Sequence, residues 1–214
     1  MKNKLWKLSI FIGSAMILCS GALFMQNMKD SKRAGERSRT VLVSLKEQIP
    51  SDTALKCETA PAYEKNDLFY EYSTQPAETS GNADIIIDDI AYYGYISIPT
   101  LDIELPVMSS WNYNSLNISP CRYSGSLETH DLIIAAHNYN THFGRINSLE
   151  PDDMIIFTDT SGKQYDFSVT SVEQVNGKDT SSMLSGAQNE WELTLFTCTL
   201  SGKSRFTIRA SATH

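Results

Sequence analysis

The segment WELTLFTCTLSGKSRFTIRA, from Trp191 to Ala210, decides the fold of this chain. Two runs rich in β-branched and aromatic residues flank the short turn TLSGKS, which predicts two neighbouring antiparallel strands. Cys198 ends the first run, and Arg205 stands at the start of the second. The hairpin therefore predicts a thiol and a guanidinium close together at one edge of a sheet.

Similar short runs precede this hairpin from residue 83 onward, with turn residues between them. They are YYGYISIP, IELPVM, DLIIAAHN, MIIFTDT and KQYDFSVTSVEQV. With the two runs of the hairpin they predict a mainly β domain that closes, or nearly closes, into a barrel. Helical stretches do not alternate with these runs, which disfavours a parallel βαβ fold.

An apolar segment dominates the N-terminus, from Leu5 to Met25, and Lys7 is its only charged residue. About 20 helical residues span the ~30 Å hydrocarbon core of a bilayer. A cleaved signal peptide is the alternative, but no small-residue cleavage pattern follows and the run exceeds a typical signal core. We predict a membrane anchor over 1–28, a helix and flexible stalk over 29–82, and the β-barrel over 83–214.

The amino-acid composition of the chain limits the kinds of protein it can be. The 214 residues carry a net charge of −7 and are 41% hydrophobic, so the chain can build a core of ordinary size. The acidic balance excludes the basic surface that nucleic-acid binding requires. Four cysteines are too few for a disulfide scaffold.

Three polar side chains are predicted at the ends of apolar strands. Alternation along the strands puts Cys198 on one face with Phe196, and His137 on one face with Ala135. With Arg205 they supply a nucleophile, a proton carrier and a cation for an oxyanion, the parts of acyl transfer. A histidine that precedes a strand-borne cysteine disfavours a papain-like peptidase.

Three motifs resemble those of sortases, the cysteine transpeptidases of Gram-positive bacteria. TLFTC at 194–198, with Arg205 after it, resembles the family's cysteine signature, and LIIAAHNY at 132–139 resembles the strand that ends in its histidine. YGYISIPTLDIELPV at 93–107 is similar to the opening strands. The resemblance implies an eight-stranded barrel.

The resemblance also implies the site. Cys198 would be the nucleophile, His137 the proton carrier and Arg205 the oxyanion partner, with Arg209 as the alternative arginine. Thr197 would contact the substrate. We expect no cofactor, although the acidic turns at 88–89 and 151–153 leave calcium modulation open.

The implied reaction cleaves a sorting signal of the Leu-Pro-x-Thr-Gly kind through a thioacyl enzyme. The surface protein that carries the signal is then joined to an amine of a cell-wall precursor, such as lipid II, or of a pilin lysine. This chemistry takes place outside the membrane and implies a single-pass protein with a cytoplasmic N-terminus and an extracellular barrel. A thiol hydrolase and a non-catalytic surface-binding barrel are the alternatives.

Overall fold

The computed structural model describes residues 2–50, 83–179, 182 and 191–213. Two helices and nine strands make up the regular structure of these residues. They are α1 (Lys2–Gln48), β1 (Ile85–Ile87), β2 (Ile90–Ile98), β3 (Ile103–Met108), α2 (Tyr113–Leu116), β4 (Cys121–Ser124), β5 (Leu132–Ala135), β6 (Met154–Asp159), β7 (Gln164–Asn176), β8 (Leu193–Cys198) and β9 (Ser204–Ala212). Short 3₁₀ turns lie at Pro99–Leu101 and Ile146–Ser148.

Eight of the described strands, β2 to β9, close into a barrel. Their order is β2-β3-β4-β5-β8-β9-β7-β6, and β6 pairs back onto β2. At Gly94 of β2 the backbone passes so close to the Thr158 carbonyl of β6 that a Cβ would overlap it. The predicted eight-stranded barrel is confirmed, and β1 adds a short hairpin partner to β2.

One barrel strand is missing from the predicted runs. In the segment SPCRYSG the turn-forming residues Pro120 and Gly125 flank Cys121–Ser124, yet these four residues form β4. β4 pairs with β5 in the antiparallel sense and meets β3 in parallel at Cys121. Tertiary pairing therefore makes a strand of a run too short to carry a strand pattern.

The sheet buries apolar side chains on both faces. The barrel interior holds one cluster, which includes Ile96, Leu105, Ile134, Phe157, Leu195 and Ile208. The outer face carries a second cluster, in which Leu45 and Ile49 join Tyr92, Met108, Ile133 and Phe196. The outer faces of β5 and β8 are thus part of a core, and of these two strands only the end of β8, at Cys198, is exposed.

Helix α1 runs without a break across the predicted boundary between anchor and following helix. Its portion from Ile10 onward is long and apolar enough to cross a membrane, by length and composition. The later part packs on the barrel through Ala34, Ser38, Leu42 and Leu45, whose spacing of three and four residues forms one helix face. The predicted stalk from Ser51 to Asn82 lies outside the described residues.

Candidate active site

The ends of three neighbouring strands form the candidate site. In β8 and β9, Cys198 and Arg205 are direct cross-strand partners. β5 runs parallel to β8 with Ala135 opposite Phe196, and two residues further along each chain stand His137 and Cys198. The strand register therefore brings all three predicted side chains to one edge of the barrel.

Cys198 is the exposed end of a buried strand. The five preceding residues of β8 are buried, whereas the Cys198 thiol is free and accessible to solvent. Cys121, by contrast, is fully buried, and burial raises the pKa of its thiol to about 12. Of these two thiols, only Cys198 is open to a substrate.

Thr197 links the cysteine strand to the histidine strand. Its side chain is buried, and Oγ1 donates a hydrogen bond of 2.9 Å to the Ala136 carbonyl, directly before His137. The Ala136 amide in turn donates to the Phe196 carbonyl at 3.2 Å. The predicted substrate contact of Thr197 stays a prediction, while its observed contact holds the two strand ends together.

His137 is half-buried just past the end of β5. Its ring lies 5.1 Å from the ring of Tyr139, centroid to centroid. Burial lowers the pKa of His137 below its ordinary value, because the protein interior disfavours the charged imidazolium. At neutral pH the neutral imidazole, a proton acceptor, is therefore the main form.

Arg205 is held by the strand end on its other side. Its Nη1 donates to the carbonyl of Gly177, after β7, and its guanidinium lies 5.8 Å from the Phe196 ring centroid. Its buried Nε–H has no acceptor among the described residues. The sequence assigned no role to Gly177, because a backbone carbonyl carries no sequence signal.

The alternative arginine has other partners. Arg209 is the register partner of Thr194, four residues and about 13 Å along β9 from Arg205. It forms a 2.9 Å ion pair with Glu173, donates to the Ser182 carbonyl, and lies 4.4 Å from the Trp191 ring centroid. The geometry thus favours Arg205 as the arginine beside the thiol.

A chain of aromatic rings extends from the arginine to the surface. Phe196 contacts Tyr123 with ring centroids 5.2 Å apart, and Tyr123 contacts Trp111 at 5.1 Å. Trp111 then reaches the exposed Tyr113 at 5.9 Å. Strand alternation predicts that Phe196 lies on the same face as Cys198. Trp111 and Tyr123 are distant from Phe196 in the sequence, so no local pattern predicts that they contact it.

The described residues contain no group of three or more His, Cys, Asp and Glu side chains placed to hold a metal. In the predicted acidic turn, the two carboxylate oxygens of Asp153 accept hydrogen bonds from Thr100 Oγ1 and the Glu150 amide. Asp88 and Asp89 form the tight β1–β2 turn with positive φ angles. The Asp153 carboxylate thus has hydrogen-bond partners at its own turn, and calcium modulation stays a prediction.

A sortase domain model matches residues 96–213, which is more than half of the chain. The matched region begins in β2 and contains every strand of the candidate site. The chain therefore belongs to the sortase family. A comparison with curated protein sequences finds no match.

Solved sortase structures share the fold. Sortase A from Corynebacterium diphtheriae, a lid mutant, is 22% identical with a TM-score of 0.51, over 57% of this chain and 70% of that one. Sortase C1 from Streptococcus agalactiae is 23% identical with a TM-score of 0.52, over 60% and 71%. A sortase D5 transpeptidase from Clostridium perfringens is 18% identical with a TM-score of 0.51, over 57% and 79%. These matches establish the fold, and they span three classes without selecting one.

Proposed function

We propose that this chain is a membrane-anchored sortase. Cys198 forms a thioacyl bond to a sorting signal, and an amine then attacks this thioester and forms an amide bond to the acyl group. One observation carries the proposal: the cross-strand pairing of the exposed Cys198 with Arg205, beside the strand that leads into His137. The non-catalytic alternative predicts a buried, unreactive Cys198, whereas this thiol is exposed.

The first half-reaction makes the thioester. A free thiol of pKa about 8.5 is only about 3% thiolate at pH 7, so a base must assist. The neutral His137 accepts the Cys198 proton, and the sulfur attacks the scissile carbonyl. The His137 imidazolium then donates that proton to the departing amine as the C–N bond breaks.

Arg205 assists while the carbonyl oxygen bears negative charge. Its guanidinium is fixed by the Gly177 carbonyl and the Phe196 ring, so it needs little rearrangement during the reaction. Preorganised donors of this kind typically contribute a factor of about 10²–10³ in rate. In the second half-reaction an amine attacks the thioester and His137 takes the amine proton. The C–S bond then breaks, and the His137 imidazolium returns that proton to the departing Cys198 sulfur.

The substrates follow from the family and from the N-terminal helix. The donor is a surface protein with a sorting signal of the Leu-Pro-x-Thr-Gly kind, and the acceptor is an amine of a wall precursor such as lipid II, or of a pilin lysine. The apolar part of α1 anchors the enzyme with its N-terminus in the cytoplasm and its barrel outside. Both substrates then meet the enzyme at the outer membrane surface.

The test is incubation of the full-length protein, in lipid nanodiscs, with a panel of sorting peptides and an amine such as triglycine. Mass spectrometry should detect a thioacyl adduct on Cys198 and then a peptide–triglycine product. The Cys198→Ala variant is the control. Equal labelling of variant and wild type would exclude the transpeptidase, and release of free acid alone in the presence of the amine would favour the thiol hydrolase.

A further inference from the structure

Helix α1 contacts the segment that follows His137, residues 138–144, which we term the His137 loop. We propose that α1 is part of the catalytic apparatus, with Ser38 and His142 as positioning residues that hold the His137 loop so that His137 faces Cys198. The inference rests on the proposed function and adds to it a role for the helix that leads out of the membrane.

The first contact lies between Ser31 and Thr141. Thr141 Oγ1 donates a 2.9 Å hydrogen bond to the Ser31 carbonyl, and the two hydroxyl oxygens lie 3.4 Å apart. One turn further, Gly35 lets the helix approach closely, because a Cβ there would lie 2.8 Å from Thr141 Cγ2. Real Cβ atoms do not approach that near, so any side chain at this position would displace Thr141 or the helix.

The second contact is a buried hydrogen bond between Ser38 and His142. Ser38 is 1% exposed and His142 is 0% exposed. Ser38 Oγ donates to the Ile118 carbonyl at 2.7 Å, so the Nε2–H of His142, at 3.2 Å, donates to Ser38 Oγ. This bond joins the helix, the segment before β4 and the His137 loop at one point.

The His137 loop transmits this anchoring to His137. The Phe143 amide donates to the His137 carbonyl at 3.2 Å, and the His142 amide donates to the Tyr139 carbonyl at 2.8 Å. The Tyr139 ring contacts both imidazoles, with centroid distances of 5.1 Å to His137 and 5.6 Å to His142. A displacement of His142 therefore moves the residues that pack directly on His137.

The His142 ring does not itself belong to the reacting groups. It is buried, and burial together with repulsion from His137 lowers its pKa to about 4. It is therefore neutral at neutral pH and acts as a hydrogen-bond donor toward the helix. The complete burial of His142 against Ser38 therefore gives it a positioning role.

The experiment uses the full-length protein in nanodiscs and two matched pairs of variants. Ser38→Ala removes the contact to His142, and Ser44→Ala removes an exposed hydroxyl of the same helix. Gly35→Ala obstructs docking on Thr141, whereas Gly21→Ala adds a methyl group with no atom within 4 Å. Both glycine variants favour helix formation, so only the docking differs within that pair.

Misplacing a catalytic group by about 1 Å costs up to ~100-fold in rate. We therefore expect Ser38→Ala and Gly35→Ala to lower kcat for transpeptidation by about 10- to 100-fold. KM for the sorting peptide should change less than twofold, and both control variants should match the wild type. His142→Gln keeps an N–H donor and should recover most of the kcat that His142→Leu loses.

A second readout does not need turnover. The rate at which iodoacetamide alkylates Cys198 at pH 7, resolved by peptide mass spectrometry, should fall in Gly35→Ala and Ser38→Ala, and it should also fall in His137→Ala. If alkylation responds but no sorting peptide reacts, the positioning role holds and the proposed function fails. If neither kcat nor alkylation differs between the test variants and their controls, the positioning role is wrong.

Discussion

Cys198 and Arg205 are register partners across the β8–β9 hairpin. Arg209 lies four residues further along β9, opposite Thr194. Because directly opposed residues of an antiparallel pair project to the same face, the thiol and the Arg205 guanidinium share one side of the sheet.

Replacing Arg205 should lower catalytic activity, whereas replacing Arg209 should lower thermal stability. Arg205→Ala should lower kcat/KM by about 10²–10³, the effect of losing one preorganised oxyanion donor. Arg209→Ala breaks the ion pair with Glu173 and should lower the melting temperature while leaving kcat/KM within threefold. Peptide-cleavage kinetics and thermal melts of both variants check this, and a larger kinetic loss in Arg209→Ala would contradict the assignment.

The two described thiols of the barrel should react at very different rates. Cys198 is exposed, whereas Cys121 is buried and burial raises its pKa to about 12. Iodoacetamide at pH 8 should therefore modify Cys198 in the folded protein before any label appears on Cys121. Peptide mass spectrometry over time measures both, and in denaturant the two should react alike.

Thr197→Val should weaken the connection between the ends of β8 and β5, because it removes a hydrogen bond to a backbone carbonyl. The valine nearly matches the shape of threonine but leaves the Ala136 carbonyl without the 2.9 Å hydrogen bond. An unpaired buried carbonyl costs about 1–3 kcal/mol, which denaturant unfolding would measure. We also expect lower kcat. Thr170→Val, which removes an exposed hydroxyl contact, is the matched control and should leave both quantities near wild type.

Acid should destabilise the fold through His142. Its pKa falls from 6.5 in the unfolded chain to about 4 in the fold, so the unfolded state binds more protons between these values. The free energy of unfolding therefore decreases as the pH falls from 7 to 5, by on the order of 2 kcal/mol from this group. His137, with its pKa also lowered, acts in the same direction.

Comparing wild type with His142→Gln isolates the contribution of His142, because both proteins keep the remaining titrating groups. The variant should lose less stability than the wild type between pH 7 and pH 5, measured by denaturant unfolding at both pH values. If the free energy of unfolding falls by the same amount in both proteins between pH 7 and pH 5, His142 does not titrate in this range.

Local patterns predicted most of the fold. Strand alternation and turn residues identified seven of the eight barrel strands, and β4 was missed because its four residues are flanked by Pro120 and Gly125. In the helix that follows the anchor, the apolar residues Leu42 and Leu45 are three residues apart, a helical spacing, and both are buried. The sequence did not indicate that Ala34 and Ser38 extend this face onto the His137 loop, because small residues give no amphipathic signal.

The sequence by itself determined seven of the eight barrel strands, the apolar N-terminal helix and the places of Cys198, His137 and Arg205 at strand ends, because these depend on short-range periodicity and residue chemistry. Tertiary structure decided which arginine lies opposite Cys198, how Thr197 bridges to Ala136 across 61 residues, and which helix supports the His137 loop. Register, parallel pairing and burial depend on contacts between distant segments. Only the closed barrel with α1 packed on its outer face brings those segments together.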